Sequence, residues 1–251
     1  MFEINLLTLN VHKGFSASGR RFVLPGLREA VRRVGADLVF LQEVLGVHQR
    51  HARRADWPAV PQYEYLADTL WTQYAYGRNA AYPDGHHGNA LLSRYPILRQ
   101  ENRDATVGAS EKRGLLHCVL EVPGRGLEVH AICVHLGLRE AHRRRQVELL
   151  CGMVEREIPA SAPLVVAGDF NDWRGAAHRL LHRCGLREAF AEASGRLART
   201  FPARWPLLPL DRIYVRGARI GRAQVLARPP WSRLSDHAAL AATIAVAGGA
   251  P

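Results

Sequence analysis

The chain has 251 residues, 47% of them hydrophobic, and a formal net charge of +11. This composition predicts one large domain over residues 1–251 and excludes a low-complexity or repeat protein. No apolar run is long enough to span a membrane, and the N-terminus lacks signal-peptide features, so we expect a cytoplasmic protein. Nothing in the sequence indicates an obligate protein partner.

The positive charge predicts an anionic substrate, with nucleic acid favoured over phospholipid. Of the 34 basic residues, 32 are arginines scattered among many alanines, a bias that also fits the base composition of the gene. Charge therefore supports an anionic substrate without identifying it. The four cysteines have no close CxxC spacing, and we expect buried free thiols rather than disulfides or a zinc site at Cys118, Cys133, Cys151 and Cys184.

The N-terminal part predicts a strand, a helix and a second strand. Residues 4–10 form an apolar run, residues 24–34 have helical apolar spacing, and residues 37–43 form another apolar run. A βαβ-like unit of this kind would bring Asn10 and Glu43 to the same sheet edge. A glutamate after four apolar residues is costly to bury unless it is paired or binds a cation, and the alternative is a loop position just past the strand.

Residues 46–88 combine a basic cluster with many aromatic residues. Such interleaving can form a nucleic-acid surface, or the segment can be a large loop packed by its own rings, which we slightly favour. The pair His86 and His87 is weak evidence for a metal site.

The middle of the chain predicts strands over residues 115–122 and 127–136, followed by a helix over residues 139–158. Arg113 precedes the first of these strands and is suited to holding a phosphate. His135 at the end of the second can donate a proton or bind a phosphate, although a histidine there is more often structural.

A short apolar strand ends at the sequence Gly-Asp-Phe-Asn-Asp, residues 168–172. If the chain stays extended, Asp169 and Asn171 point the same way and can order a nucleophilic water beside a phosphate. The alternative is an Asx turn. Further on, Asp211 lies just inside an apolar run, and Asp236 and His237 immediately precede a final strand.

With these polar residues at its predicted strand ends, the sequence resembles the endonuclease/exonuclease/phosphatase superfamily of DNase I-like, metal-dependent phosphohydrolases. Seven short stretches match in the order of the family, and residues 76–89 resemble its YbhP-type bacterial branch. The stretches centre on Asn10, Gln42-Glu43, Asn89-Ala90, His135, Asp169 to Asn171, Asp211-Arg212 and Ser235 to His237.

The resemblance implies a four-layer α/β sandwich, with two mixed β-sheets face to face and helices on both outer faces. It implies Mg²⁺, with Mn²⁺ as a substitute, held by Glu43, Asn10 and Asp236. His237 is implied as the base oriented by Asp211, with Asp169 as its rival. Asn171 and His135 are expected to contact the phosphate, and the implied substrate-binding residues are Asn10, Arg113 and Asn89.

These features predict a Mg²⁺-dependent phosphodiesterase or nuclease. The first alternative is the same chemistry on a phospholipid headgroup or a small phosphate ester, and the second is a catalytically silent nucleic-acid or membrane-binding domain. Two departures count mildly against abasic-site DNA repair or a DNA-specific role, namely His135 where abasic-site endonucleases have tyrosine, and Ala238-Ala239 after the Asp-His pair.

Overall fold

The computed structural model describes residues 1–68, 70–109 and 111–247, so the last four residues of the predicted domain lie outside the described residues. Twelve strands and five α-helices lie within these ranges. The strands are β1 (Phe2–Asn10), β2 (Leu38–His48), β3 (Gln73–Tyr82), β4 (Gly85–Ser93), β5 (Ile97–Asp104), β6 (Gly114–Val122), β7 (Leu127–His135), β8 (Leu164–Asp169), β9 (Arg187–Glu188), β10 (Asp211–Arg216), β11 (Ala218–Leu226) and β12 (Ala239–Val246). The helices are α1 (Leu24–Val34), α2 (Gln62–Ala67), α3 (Glu140–Glu157), α4 (Ala176–Arg183) and α5 (Ala189–Ser194).

The strands form two mixed sheets of six strands each. The first has the order β11-β12-β1-β2-β4-β3, and the second has the order β5-β6-β7-β8-β10-β9. One apolar cluster lies between the sheets, a second joins the outer face of the first sheet to α1 and α2, and a third joins the second sheet to α3 and α4. This confirms the predicted four-layer sandwich.

Most predicted elements occur where the apolar periodicity indicated them. The predicted helix over 24–34 is α1, and it ends at Gly35, whose φ of 63° suits a residue without a side chain. The region 46–88 is not one large loop, because it contains α2, β3 and the start of β4. Its rings do pack on one another: Tyr63 stacks on Tyr76 at 4.5 Å, and Trp57 stacks on His51 at 5.0 Å.

The cysteine prediction is half wrong. Cys118 and Cys133 are buried free thiols, but Cys151 and Cys184 form a disulfide that joins α3 to the end of α4. Helix packing brings the last two together from 33 positions apart, which sequence spacing does not reveal. Disulfides are rare in the reducing cytosol, so this bond gives a reason to test the predicted cytoplasmic location. Within the described ranges, no helix combines the length and apolarity needed to cross a membrane.

A buried ion pair fixes the loop after β8. Asp172 and Arg212 are both fully buried, with Oδ2 and Nη1 3.1 Å apart. Asp172 also accepts hydrogen bonds from the backbone N–H groups of Ala176 and Ala177 at the start of α4. The pair therefore connects β8, α4 and β10 immediately behind the residues predicted to be catalytic.

Replacing Asp172 by asparagine should destabilise the fold by about 3–5 kcal/mol, because the Arg212 charge would stay buried without its partner. Chemical denaturation would measure this loss. Asp56→Asn, which removes the carboxylate of an exposed pair with Arg54, is the matched control and should leave the unfolding midpoint unchanged. Equal midpoints for the two variants would contradict a structural role for the buried pair.

Candidate active site

The polar residues at the strand ends meet at one end of the sandwich. In the second sheet, His135 pairs with Asp169 in the parallel register of β7 and β8, and Asp211 pairs with Asp169 in the antiparallel register of β10 and β8. Asn10 ends β1 in the facing sheet. The ends of strands from both sheets thus form a common site.

Asp169 lies at the centre of this site and is almost fully buried. Its Oδ2 is 3.2 Å from Asn10 Nδ2, 3.5 Å from His135 Nε2 and 3.8 Å from His237 Nε2. Its Oδ1 accepts a hydrogen bond from the backbone N–H of Asn171 at 2.9 Å. One carboxylate therefore contacts an amide from the first sheet and faces two imidazoles.

Asp211 orients His237. The Nδ1 of His237 is 2.8 Å from Oδ2 of Asp211, which is fully buried. This contact places the proton of a neutral imidazole on Nδ1 and turns Nε2 towards Asp169. The arrangement is the carboxylate–imidazole pairing that the sequence predicted.

The electrostatics of the site favour a protonated His237. Burial alone lowers the pKa of this imidazole, but the carboxylates of Asp211 and Asp169 outweigh burial and raise it to about 10. Burial raises the pKa of Asp169 to about 7, although His237 acts in the opposite direction. For His135, burial and the charge of Arg113 lower the pKa well below 6.5, so this imidazole is neutral.

The segment after β8 turns instead of staying extended. Asn171 has a φ of 50°, and its backbone N–H bonds back to the Asp169 side chain, which is an Asx turn. The expectation that alternation along an extended strand aligns the two side chains is therefore wrong. Asn171 still reaches the site, where its Nδ2 donates to the carbonyl of Leu136 at 2.9 Å.

Glu43 is held in a strained backbone position. Its φ is 57°, and the pairing of β2 with β4 shifts register between Leu41 and Val44. The bulge turns the carboxylate into the site, where Oε1 accepts from Asn10 Nδ2 at 3.3 Å and Oε2 is 3.9 Å from Lys13 Nζ. Glu43 is thus neither a loop residue nor an ordinary strand residue.

Gln62 links the backbone just after Glu43 to the turn at Lys13. It is fully buried in α2, its Oε1 accepts from the backbone N–H of Leu45, and its Nε2 donates to the carbonyl of Lys13. His12 and Lys13 have φ values of 45° and 56°, so this turn is strained as well. This role could not be predicted from the sequence, because Gln62 is a single polar residue far from any motif.

The oxygen atoms near Glu43 fit a hard divalent cation. Glu43 Oε2 is 3.9 Å from Lys13 Nζ, and Oδ1 of the partly exposed Asp236 is 3.2 Å from Ser235 Oγ and 3.9 Å from His12 Nδ1. Asn10 Oδ1 already accepts from the His12 N–H at 3.0 Å, and its Nδ2 faces the carboxylates. The Glu43 and Asp236 carboxylates therefore suit a cation better than Asn10, whose amide donates to Glu43.

A second group could hold a metal, since Asp169, Asp211 and His237 offer ligand atoms within 4.8 Å of one another. A protonated His237 repels a cation, and its Nδ1 is already occupied by Asp211. The oxygen-rich position at Glu43 suits Mg²⁺ better.

Two predicted substrate-binding residues differ in their placement. Arg113 Nε donates to the carbonyl of Leu136 at 3.2 Å, the same carbonyl that accepts from Asn171, so its guanidinium lies beside the site. Asn89 is fully buried, and its Nδ2 donates to the carbonyls of Gly114 and Cys133 in the facing sheet. Asn89 is therefore a link between the sheets and not a surface contact for a substrate.

His87 and Lys13 complete the polar wall of the site. Burial and then Lys13 lower the pKa of His87 to about 4, while Glu43 acts in the opposite direction. His87 Nδ1 is buried without a hydrogen-bond partner in the described residues. Lys13 is one of only two lysines beside 32 arginines, and this contrast is a signal that sequence reasoning passed over.

Asp211→Asn should lower the pKa of the His237 imidazole by roughly 1 to 3, because an adjacent negative charge is lost. NMR titration of the metal-free protein measures the change, and Asp56→Asn serves as the control. An unchanged His237 titration would contradict the pairing with Asp211.

Comparison with known proteins agrees with this geometry. The model of the endonuclease/exonuclease/phosphatase family matches residues 7–237. The Escherichia coli K12 protein YbhP, described as uncharacterized, is 55% identical over 245 residues, which cover 97% of this chain and 96% of that one.

Solved structures show the same fold at low sequence identity. A Bacteroides vulgatus endonuclease/exonuclease/phosphatase is 18% identical with a TM-score of 0.77, and the match covers 98% of this chain and 100% of that one. Danio rerio TDP2, in a complex with a single-strand DNA product, is 17% identical with a TM-score of 0.74, and the match covers 96% of this chain and 98% of that one. The chain belongs to the endonuclease/exonuclease/phosphatase family.

Proposed function

We propose that this protein is a divalent-metal-dependent phosphodiesterase. The observation that carries the proposal is the surroundings of Asp169, whose Oδ2 lies within 4 Å of Asn10, His135 and His237. Asn10 also contacts Glu43, so the group suited to a metal ion adjoins the group suited to proton transfer. An intact constellation of this kind argues against a catalytically silent domain.

Glu43 and Asp236 would hold the ion, and the Asn10 amide, which donates to Glu43, would orient that carboxylate. When bound, Mg²⁺ or Mn²⁺ neutralises the anionic phosphate and polarises an ester oxygen. Arg113, fixed by the Leu136 carbonyl, supplies a planar cation for the remaining phosphate oxygens.

Asp169 and His237 would divide the proton chemistry between them. Family similarity makes His237 the base, but this imidazole lies between two carboxylates and carries a proton at neutral pH. We therefore assign the acceptance of the water proton to Asp169, whose raised pKa suits a general base. Protonated His237 and the amide of Asn171 stabilise negative charge as water attacks phosphorus and the ester bond breaks.

Two classes of phosphate ester are candidate substrates. Nucleic acid is the first to test, because the chain is strongly basic and a structural neighbour was solved with a DNA product. The second is a phospholipid headgroup or another small phosphate ester. The aromatic region expected as a possible base-stacking surface packs on itself, so charge remains the main support for nucleic acid.

Asp169→Ala and His237→Ala should each lower phosphodiester hydrolysis by roughly 10²–10⁴-fold, since each removes a group used in proton transfer or charge stabilisation. Hydrolysis of bis(p-nitrophenyl) phosphate, single- and double-stranded DNA, RNA and phospholipid vesicles would be followed with Mg²⁺ and with EDTA. Asp56→Ala is the control. Cleavage that persists in EDTA, or that Asp169→Ala does not diminish, would disprove the proposal.

Arg113→Lys should raise KM roughly tenfold with a smaller change in kcat, because a lysine cannot reproduce the forked contact of a guanidinium. Steady-state kinetics on the best substrate of the panel would separate the two constants. Arg99→Lys, at an exposed position in β5, is the matched control. An unchanged KM would remove Arg113 from the substrate site.

A further inference from the structure

Exposed apolar residues are concentrated at the catalytic end of the second sheet. Three loops leave or enter this sheet beside the site, after β7, after β8 and before β10. They carry five of the ten exposed large hydrophobic residues in the described chain. We call these five the apolar rim: Leu138, Trp173, Trp205, Leu207 and Leu208.

The first two members of the rim are held in place by one arginine. Arg143 is buried, and its Nη1 donates to the carbonyls of Gly137 and Leu138. Its guanidinium lies over the ring of Trp173, 4.9 Å from the centroid. The loops after β7 and β8 are therefore tied together with their apolar side chains outside.

The other three members lie on a closed turn beside His237. Phe201 and Leu208 form a β-bridge, and the backbone N–H of Leu207 donates to the Phe201 carbonyl at 2.9 Å. The Phe201 ring is 5.1 Å from the His237 ring. Trp205 is 78% exposed and Leu207 is 62% exposed, so this turn presents apolar groups to solvent next to the catalytic imidazole.

The composition of the rim favours a lipid surface over nucleic acid. Three of its five members are leucines, which cannot stack on bases as aromatic rings do. Tryptophan and leucine beside basic residues are typical of segments that insert into the boundary between headgroups and acyl chains. Protein surfaces with clustered apolar groups of this kind mark interaction sites.

Each rim loop also carries an exposed arginine adjacent in sequence to a rim residue. Arg139 follows Leu138, Arg174 follows Trp173, and Arg204 precedes Trp205. Arg174 is partly neutralised by Glu140 at 3.5 Å. The charge near the rim, together with the net charge of +11, complements an anionic bilayer.

We propose that the apolar rim docks this protein on an anionic phospholipid bilayer, with the catalytic end of the sandwich facing the headgroups. Docking would bring a headgroup phosphodiester to the site while its acyl chains stay in the membrane. The choice of a headgroup ester as substrate rests on the proposed function, whereas docking itself is measurable without catalysis.

The test is co-sedimentation with vesicles of phosphatidylglycerol and phosphatidylcholine, in an Asp169→Asn background that prevents hydrolysis. The parent should bind, and the double variant Trp205→Ser, Leu207→Ser should lose at least about tenfold in partition coefficient, because two large apolar side chains would no longer be buried in the bilayer. Leu98→Ser is the matched control, since Leu98 is 47% exposed near the start of β5, at the opposite end of the sheet.

A parent that does not bind vesicles, or a double variant that binds as tightly as the parent, would overturn the proposal. The proposal would also be overturned if the double variant lost binding to single-stranded DNA or RNA but still bound vesicles. The same holds if the two substitutions only converted a dimer to a monomer. Thermal melting would verify that the variant is folded. With Asp169 intact, the double variant should hydrolyse bis(p-nitrophenyl) phosphate at the parental rate, so failed docking and failed catalysis are separable.

Discussion

The amide of Asn10 is the contact on which the arrangement of the site depends. It donates from the end of a strand in the first sheet to Glu43 in the same sheet and to Asp169 in the second. Because the sheets pack face to face through a continuous apolar core, the ends of their central strands cannot move apart without exposing that core. The separation of Glu43 from Asp169 is therefore set by sheet packing, and the Asn10 amide contacts both carboxylates.

Around this contact, the chain stabilises conformations that an isolated segment would not adopt. Glu43 and Asn171 both have positive φ values, and each is held by bonds from another part of the chain. Gln62 links the backbone just after Glu43 to the turn at Lys13, and the Leu136 carbonyl accepts hydrogen bonds from both Asn171 and Arg113. Strained backbone of this kind persists only where surrounding contacts hold it in place. Here it directs the Glu43 carboxylate and the Asn171 amide into the same cleft.

Two surface features bear on the choice of substrate, namely positive charge and exposed apolar side chains. Positive charge is distributed over the whole chain and suits any polyanion, whereas exposed tryptophan and leucine occur on loops next to His237. Charge increases the rate of encounter with an anionic partner, and apolar groups determine whether that partner has an apolar interior to receive them. The two features together distinguish a membrane surface from a nucleic acid better than either does alone.

The sequence by itself determined the elements with strong periodicity, such as α1 and β6 to β8, and the polar residues that end the strands, since these depend on local apolar spacing. It also identified the partners Asp211 and His237 through a family resemblance. Only the tertiary structure decided the bulge at Glu43, the buried role of Asn89, the role of Gln62 and the Cys151–Cys184 bond. Each of these depends on contacts between segments far apart in the chain, and local spacing contains no record of such contacts.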